Sequence, residues 1–297
     1  MDLISIRDLG RKDVEGMLDS ADKIVKGERK PDQHGKVLAT LFFEPSTRTK
    51  LSFQSASLRN GMGYIDFQPE MSSLKKGESF SDTIKVVSGY ADVLAVRHPK
   101  EGAARLAADL TDKPVINAGD GANQHPSQTL IDLYCIRKNK GRIAGLNVTL
   151  LGDLKYARAM RSLVYGLAMF GAKVTLVSPE GLGLDEAYLE EVRKAFGFKA
   201  EIRNEPEFSD ADVLYVCRIQ QERFADPYEA KRMMDKFMVR RSDLKDAKED
   251  LIIMHPLPKV GEIEPAIDQM RQARYFEQAH LGIPVRQAVL EYALKVK

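Results

Sequence analysis

The chain has 297 residues, with 45 Lys and Arg against 43 Asp and Glu and a formal net charge of +2. That balance argues against a protein held to nucleic acid by bulk charge, and the 43% hydrophobic and 30% charged fractions are those of a globular chain rather than an acidic disordered one. The length suits roughly two domains, no apolar run nears the ~18 residues of a membrane span, no secretory apolar stretch opens the chain, and two cysteines, Cys135 and Cys217, neither in a CxxC pair, point to a reducing cytoplasm.

Taken in chain order, residues 13–25 have helical spacing. Residues 37–43 (VLATLFF) read as a buried strand, and 47–60 as a helix that stops at Gly61, a natural C-terminal cap. A helix at 79–90 precedes strands at 93–96 and 115–116, and residues 125–140 form the next helix. Strands at 148–151, 174–177, 213–216 and 251–254 then alternate with helices at 156–170 and 186–196. Val285, Ala288, Val289 and Tyr292 recur at i, i+3, i+4 and i+7, so the chain ends in an amphipathic helix. Such alternation means an α/β fold with a mainly parallel sheet and helices on both faces. Residues 91–97 (ADVLAVR) echo residues 211–218 (ADVLYVCR). Buried parallel strands look alike in any fold, so the echo fits either ordinary strand similarity or two similar domains.

In open α/β sheets ligands bind beyond the carboxyl ends of the strands, which directs attention to the segments after each strand. The first of these is the most informative. Ser46-Thr47-Arg48-Thr49 opens a helix, where free backbone N–H groups favour an anion. Three hydroxyls and a guanidinium add donors. A capping role explains one Ser at a helix start, but not three hydroxyls and an arginine in four residues. No Walker pattern occurs. Three of the five histidines precede proline, namely His98, His125 and His255, which suits turns at strand ends. No metal-ligand spacing is present. His125, in the loop before the helix at 125–140, is the best candidate to donate to a carbonyl or take a proton, set against a structural role in a tight loop. Gly152-Asp153-Leu154-Lys155 lacks GxGxxG spacing, so no dinucleotide cofactor is indicated. Arg158 and Arg218 stand at strand ends suited to anions, with Gln220 and Arg223 close behind. Ser72-Ser73-Leu74-Lys75-Lys76 is either a surface loop or a mobile lysine-bearing lid.

Five segments in this order resemble the aspartate/ornithine carbamoyltransferase family, and within it the aspartate-specific catalytic chains: Phe43-Glu44-Pro45-Ser46-Thr47-Arg48-Thr49, Arg97-His98-Pro99, His125-Pro126-Ser127-Gln128, Gly152-Asp153-Leu154-Lys155-Tyr156 and His255-Pro256-Leu257-Pro258. The resemblance covers essentially the whole chain. It implies two similar doubly wound domains, with residues 1–126 and 277–297 binding carbamoyl phosphate, 127–141 as a linking helix, and 142–276 binding aspartate. It implies that Ser46, Thr47, Arg48 and Thr49 bind the phosphate and that Arg97, His125 and Gln128 contact the carbamoyl group. Leu257 and Pro258 match backbone that holds the carbamoyl NH2. Arg48, Thr49, Arg97 and His125 are the implied catalytic residues, while Lys76, Arg158, Arg218 and Gln220 match aspartate-binding positions. Ser73 and Lys76 match a loop that enters the neighbouring subunit's site. That loop is one residue shorter than in some relatives, so the choice between Ser72 and Ser73 stays open, and Lys259 stands where some relatives have arginine.

The resemblance implies carbamoyl transfer from carbamoyl phosphate to L-aspartate in pyrimidine biosynthesis. No cofactor, metal, nucleic acid or membrane is involved. A homotrimer with shared sites is implied, in some relatives joined by a separate regulatory chain. The nearest rival is ornithine transfer, but that branch typically has Cys where Pro256 stands. Arginines also suit a dicarboxylate better than an ammonium. A non-catalytic phosphometabolite-binding relative is the other alternative.

Overall fold

The computed structural model describes residues 1–219 and 226–295. The chain divides into one unit of Met1–Tyr134 with His280–Lys297 and a second of Cys135–Ala279.

In the first unit, helix α1 (Arg11–Val25) buries Val14, Met17, Leu18 and Ala21, the i, i+3, i+4, i+7 stripe of an amphipathic helix. Strand β1 (Val37–Phe42) is buried at all but its first residue. Then follow α2 (Thr47–Arg59), β2 (Gly63–Phe67), α3 (Phe80–Ser88), β3 (Val93–His98), α4 (Ala103–Asp109), β4 (Val115–Asp120) and α5 (Pro126–Lys140). The four strands pair in the order β2-β1-β3-β4, all parallel. The chain runs from β1 out to β2, then returns across β1 to β3. The order therefore reverses between β1 and β3. One face packs Ala39, Leu41, Leu94, Val96 and Val115 against Ile84, Ala104 and Ala107. Gly61, just past α2, has φ +75°, the left-handed conformation that ends a helix.

The second unit repeats the plan with β5 (Asn147–Leu151), α6 (Arg158–Met169), β6 (Lys173–Val177), α7 (Glu186–Phe196), β7 (Glu201–Arg203), β8 (Val213–Val216), α8 (Pro227–Phe237) and β9 (Ile252–Met254). Its parallel order is β7-β6-β5-β8-β9, with the reversal between β5 and β8. The final helix α9 (Tyr275–Ala293) begins in the second unit and ends in the first, where Gln287 Nε2 donates to Asn60 Oδ1 at 2.8 Å and the N-terminal ammonium donates to the Ala293 carbonyl.

The echo in the sequence is a shared device. Asp92 Oδ2 accepts from the Val37 N–H at 2.9 Å, and Asp212 Oδ2 accepts from the Asn147 N–H at 2.8 Å. Each aspartate also pairs with a lysine, Lys36 at 3.1 Å and Lys248 at 2.6 Å. In both units the residue before the returning strand thus pins the first amide of the central strand. This favours two similar domains over chance likeness of buried strands.

Four elements were not anticipated. Strands β2 and β7 lie at sheet edges, and their residues are half-buried or exposed rather than a continuous apolar run. Helix α4 is only seven residues long, and α8 is strongly polar.

Candidate active site

In the first unit, three of the expected segments lie beyond the carboxyl ends of three adjacent strands. Ser46 is the N-cap residue of α2 with extended backbone (φ −160°), yet its side chain makes no capping hydrogen bond. The amides of the first turn and the Ser46 hydroxyl therefore stay available to an anion, which a purely structural cap would not leave so. Thr47 and Arg48 are exposed on that turn, and Thr49 is buried.

Arg97 reaches the same place through strand register. Phe42 pairs with Arg97 across β1 and β3, and the Phe43 N–H donates to the Arg97 carbonyl at 2.8 Å. The β3–β4 register shifts between Val96 and His98, an irregularity of the kind that re-aims a side chain at a functional site. Arg97 Nε lies 2.8 Å from Glu44 Oε1 and Nη1 donates weakly to the Ala118 carbonyl at 3.5 Å. Neighbouring His98 does something different. Its ring packs against Phe43 and Phe80, with centroids 5.2 and 5.1 Å away, and its Nδ1 accepts from the Lys100 N–H at 3.0 Å. Burial, aided by Lys100, holds its pKa below the usual histidine value. His98 is a structural, neutral ring.

His125 is buried at the start of α5, and its carbonyl accepts from Gln128 N–H and Thr129 N–H. Its Nδ1 lies 3.5 Å from Ser127 Oγ. Gln128 Nε2 donates to Asp132 Oδ1 at 2.8 Å, one turn on, which fixes the amide's direction.

Residues the motifs did not reveal hold these segments in place. Asp120, fully buried, accepts four donors: Asn117 Nδ2 and Gln124 N–H on one oxygen, Gly102 N–H and Asn123 Nδ2 on the other. It shapes the loop that delivers His125. Arg286, from α9, lies buried with its guanidinium 4.8 Å over the Phe53 ring. Burial pushes its pKa down to about 9, with Asp132 opposing that and Arg97 adding to it. A buried cation thus acts electrostatically on the half-buried Arg97. The signal for it in the sequence was an arginine inside an otherwise apolar helix stripe.

In the second unit the matching position is the β5/β8 reversal. Arg158 is the first residue of α6 and Arg218 follows β8. Both are half-buried. Gly152 (φ +123°) lets the backbone after β5 approach that after β8, because a Cβ there would sit 2.1 Å from the Cys217 carbonyl oxygen. Cys217 itself is inert, since burial, with Asp153 and Glu262, pushes its thiol pKa well up. Gln220 and Arg223 fall outside the described residues. The turn after β9 carries Leu257 at φ +58° and a cis Leu257-Pro258 bond, and Lys259 Nζ pairs with Asp268 Oδ2 at 2.7 Å.

The loop before α3 holds a short 3-10 turn, Ser73–Lys76. Ser72 caps it, accepting from the Leu74 N–H and donating to the Pro69 carbonyl, while Ser73, Lys75 and Lys76 are exposed. Ser72 is thereby committed locally, so Ser73 is the serine left to face outward. Among the described residues, no group of three or more His, Cys, Asp or Glu could hold a metal ion, and no helix is long and apolar enough to cross a membrane.

The two α/β units thus carry arginines near their strand reversals, with hydroxyls beside them in the first unit. Residues 1–138 match the model of the aspartate/ornithine carbamoyltransferase carbamoyl-P binding domain, and residues 144–293 that of the Asp/Orn binding domain. The chain belongs to the aspartate/ornithine carbamoyltransferase family. It is 52% identical to the aspartate carbamoyltransferase catalytic subunit of Methanopyrus kandleri over 99% of this chain and 97% of that one. The catalytic subunit of M. jannaschii aspartate transcarbamoylase superposes with a TM-score of 0.90 at 45% identity, covering 98% of this chain and 96% of that one. The Trypanosoma cruzi aspartate transcarbamoylase, in complex with carbamoyl phosphate and aspartate, superposes with a TM-score of 0.92 at 32% identity, covering 99% and 95%.

Proposed function

We propose that this chain transfers the carbamoyl group of carbamoyl phosphate to the amine of L-aspartate, giving N-carbamoyl-L-aspartate and phosphate, as a step of pyrimidine biosynthesis in the cytoplasm. The observation that carries this reading is the cradle of Ser46, Thr47, Arg48 and Thr49 on the uncapped first turn of α2, with Arg97 registered beside it.

In this reading the first unit takes carbamoyl phosphate. The α2 amides, Ser46, Thr47 and Arg48 bind the phosphate, joined by Lys76 from a neighbouring subunit. The aspartate amine attacks the carbonyl carbon, negative charge grows on the carbonyl oxygen, and the C–O bond to phosphate breaks. Thr49, Arg97 and His125 donate to that oxygen, a preorganised site whose donors need no reorganisation as charge develops. Gln128 and the Leu257 and Pro258 backbone hold the carbamoyl NH2. The departing phosphate takes the amine proton. No covalent intermediate is required, in keeping with Cys217's raised pKa and its burial. Arg158, Arg218 and Gln220 grip the two aspartate carboxylates through forked hydrogen bonds.

A homotrimer goes with this reading. Leu51 and Leu58 on α2, Tyr64 on β2, and Val86 and Tyr90 on and after α3 are all exposed, large apolar side chains that a second copy of the chain would cover in this reading. Ser73 and Lys76 reach the neighbour's site in that assembly. The test is purified protein with carbamoyl phosphate and either aspartate or ornithine, scored for carbamoylated product. Product with aspartate is expected. Product with ornithine alone, or with neither in a sample shown to be trimeric, overturns the reading, the second outcome favouring a binding protein.

A further inference from the structure

Leu257 is the one described residue other than glycine with positive φ (+58°). For a branched side chain that conformation is costly and persists only when the surroundings hold it. The hold is visible. His255 is 2% exposed, and its Nδ1 accepts from the Leu257 N–H at 2.8 Å. An accepting Nδ1 puts the ring proton on Nε2. Nε2 lies 2.6 Å from Oε1 of Glu262, itself 5% exposed. The other oxygen of Glu262 accepts from the Val260 N–H at 2.8 Å. One buried carboxylate thus meets both sides of the turn, by a hydrogen bond at residue 260 and by close contact with the imidazole that accepts from residue 257. The His255 N–H in turn donates to Gln278 Oε1 at 2.9 Å, which fixes where the ring starts. Glu262 carries charge to do this. Burial pushes its pKa up, but His255 and the Val260 amide more than reverse that, leaving it below the usual carboxylate range.

His98 Nδ1 accepts from the Lys100 N–H in the same way, but among the described residues only the turn at His255 delivers this bond to a non-glycine residue with positive φ. We infer that Glu262, acting through His255, is a positioning residue that aims the Leu257 backbone at the carbamoyl NH2. The inference rests on the proposed grip of Leu257 and Pro258 on that group. With the turn held, the carbonyl is preorganised to accept from NH2, and a ligand with CH3 in its place gains nothing there. Glu262 therefore acts on selectivity between two acyl phosphates of nearly the same shape.

The experiment uses carbamoyl phosphate as substrate and acetyl phosphate, which carries CH3 for NH2, as the competing probe, on the full chain in its native assembly. Wild type is expected to prefer carbamoyl phosphate. Glu262→Ala is expected to lower kcat/KM for carbamoyl phosphate about tenfold or more, the scale of one lost buried hydrogen bond, with the acetyl phosphate inhibition constant changed less than about threefold. Glu262→Gln is isosteric and the safer variant to fold. Its NH2 must face either the His255 Nε2–H or the Val260 N–H, so it is expected to lose at least about threefold of the preference. A preference unchanged in the folded variants overturns the role of Glu262, and so does parallel weakening of both ligands, which marks a merely structural pair. A wild type that does not distinguish the two ligands overturns instead the underlying grip on NH2.

Discussion

Gly152→Ala tests whether the close approach of β5 and β8 shapes the proposed aspartate side of the site. An alanine Cβ would lie 2.1 Å from the Cys217 oxygen and 3.0 Å from its carbonyl carbon. Real Cβ contacts essentially never fall below 3.0 Å, so the two backbones must part by about 0.9 Å. Neither obstacle is a flexible side-chain end that could swing away. The residue also sits at φ +123°, outside the range of L side chains, which costs about 1–3 kcal/mol. Overpacking a tight site adds about 1–3 kcal/mol. The strands are tied by the Cys217 N–H to the Leu151 carbonyl at 2.8 Å and the Gly152 N–H to the Val177 carbonyl at 3.0 Å, so the strain is shared with both neighbours of β5. A destabilisation of about 2–5 kcal/mol is expected from urea unfolding. Because Arg218 directly follows Cys217, KM for aspartate should rise at least about tenfold, more than that for carbamoyl phosphate. A loss under about 0.5 kcal/mol together with unchanged KM for aspartate would refute the argument, since that is the range of ordinary surface substitutions.

Three further outcomes follow from the same geometry. Arg48→Ala should lower kcat by on the order of hundreds-fold, the cost of removing a main charge-stabilising donor, and near wild-type turnover in the folded variant counts against the phosphate cradle. Asp92→Ala should destabilise by about 1–2 kcal/mol at neutral pH through loss of the contacts to the Val37 N–H and Lys36. Burial raises the Asp92 pKa but those partners outweigh it and leave it lowered. That contribution is therefore present above the unfolded value near 3.9 and fades as pH falls through the lower folded value, so the gap between wild type and variant should close in acid unfolding curves, and a gap that widens would be the wrong sign. Leu58→Glu, placing a charge among the exposed apolar residues of α2, should shift the sedimentation profile of the proposed trimer towards monomer and lower activity with it; an unchanged profile argues for another interface.

Much of the candidate site could be named from the sequence because its chemistry is local. Ser46 to Thr49 occupy one helical turn, so hydroxyls, guanidinium and free amides converge whatever the rest of the chain does. The central strands were legible for a similar reason, since a strand buried on both faces is apolar throughout, as in β1 and β8. Edge strands β2 and β7 left no such mark because one flank of each has no partner strand.

Other features depend on residues far apart in the chain. Nothing near Arg97 announces that it pairs with Phe42 and faces Glu44, or that Arg286 lies in the same field from nearly 190 residues away. Asp120, Asp132 and Glu262 read as ordinary carboxylates until folding surrounds them with donors. That Ser72 rather than Ser73 caps the 3-10 turn was likewise not legible in the sequence. By itself the sequence determined the fold class and the family and named the candidate site residues, because periodicity and short motifs need no partner. Which buried charges steer those residues was decided only by the tertiary structure, because a carboxylate's role is set by the donors that folding brings to it.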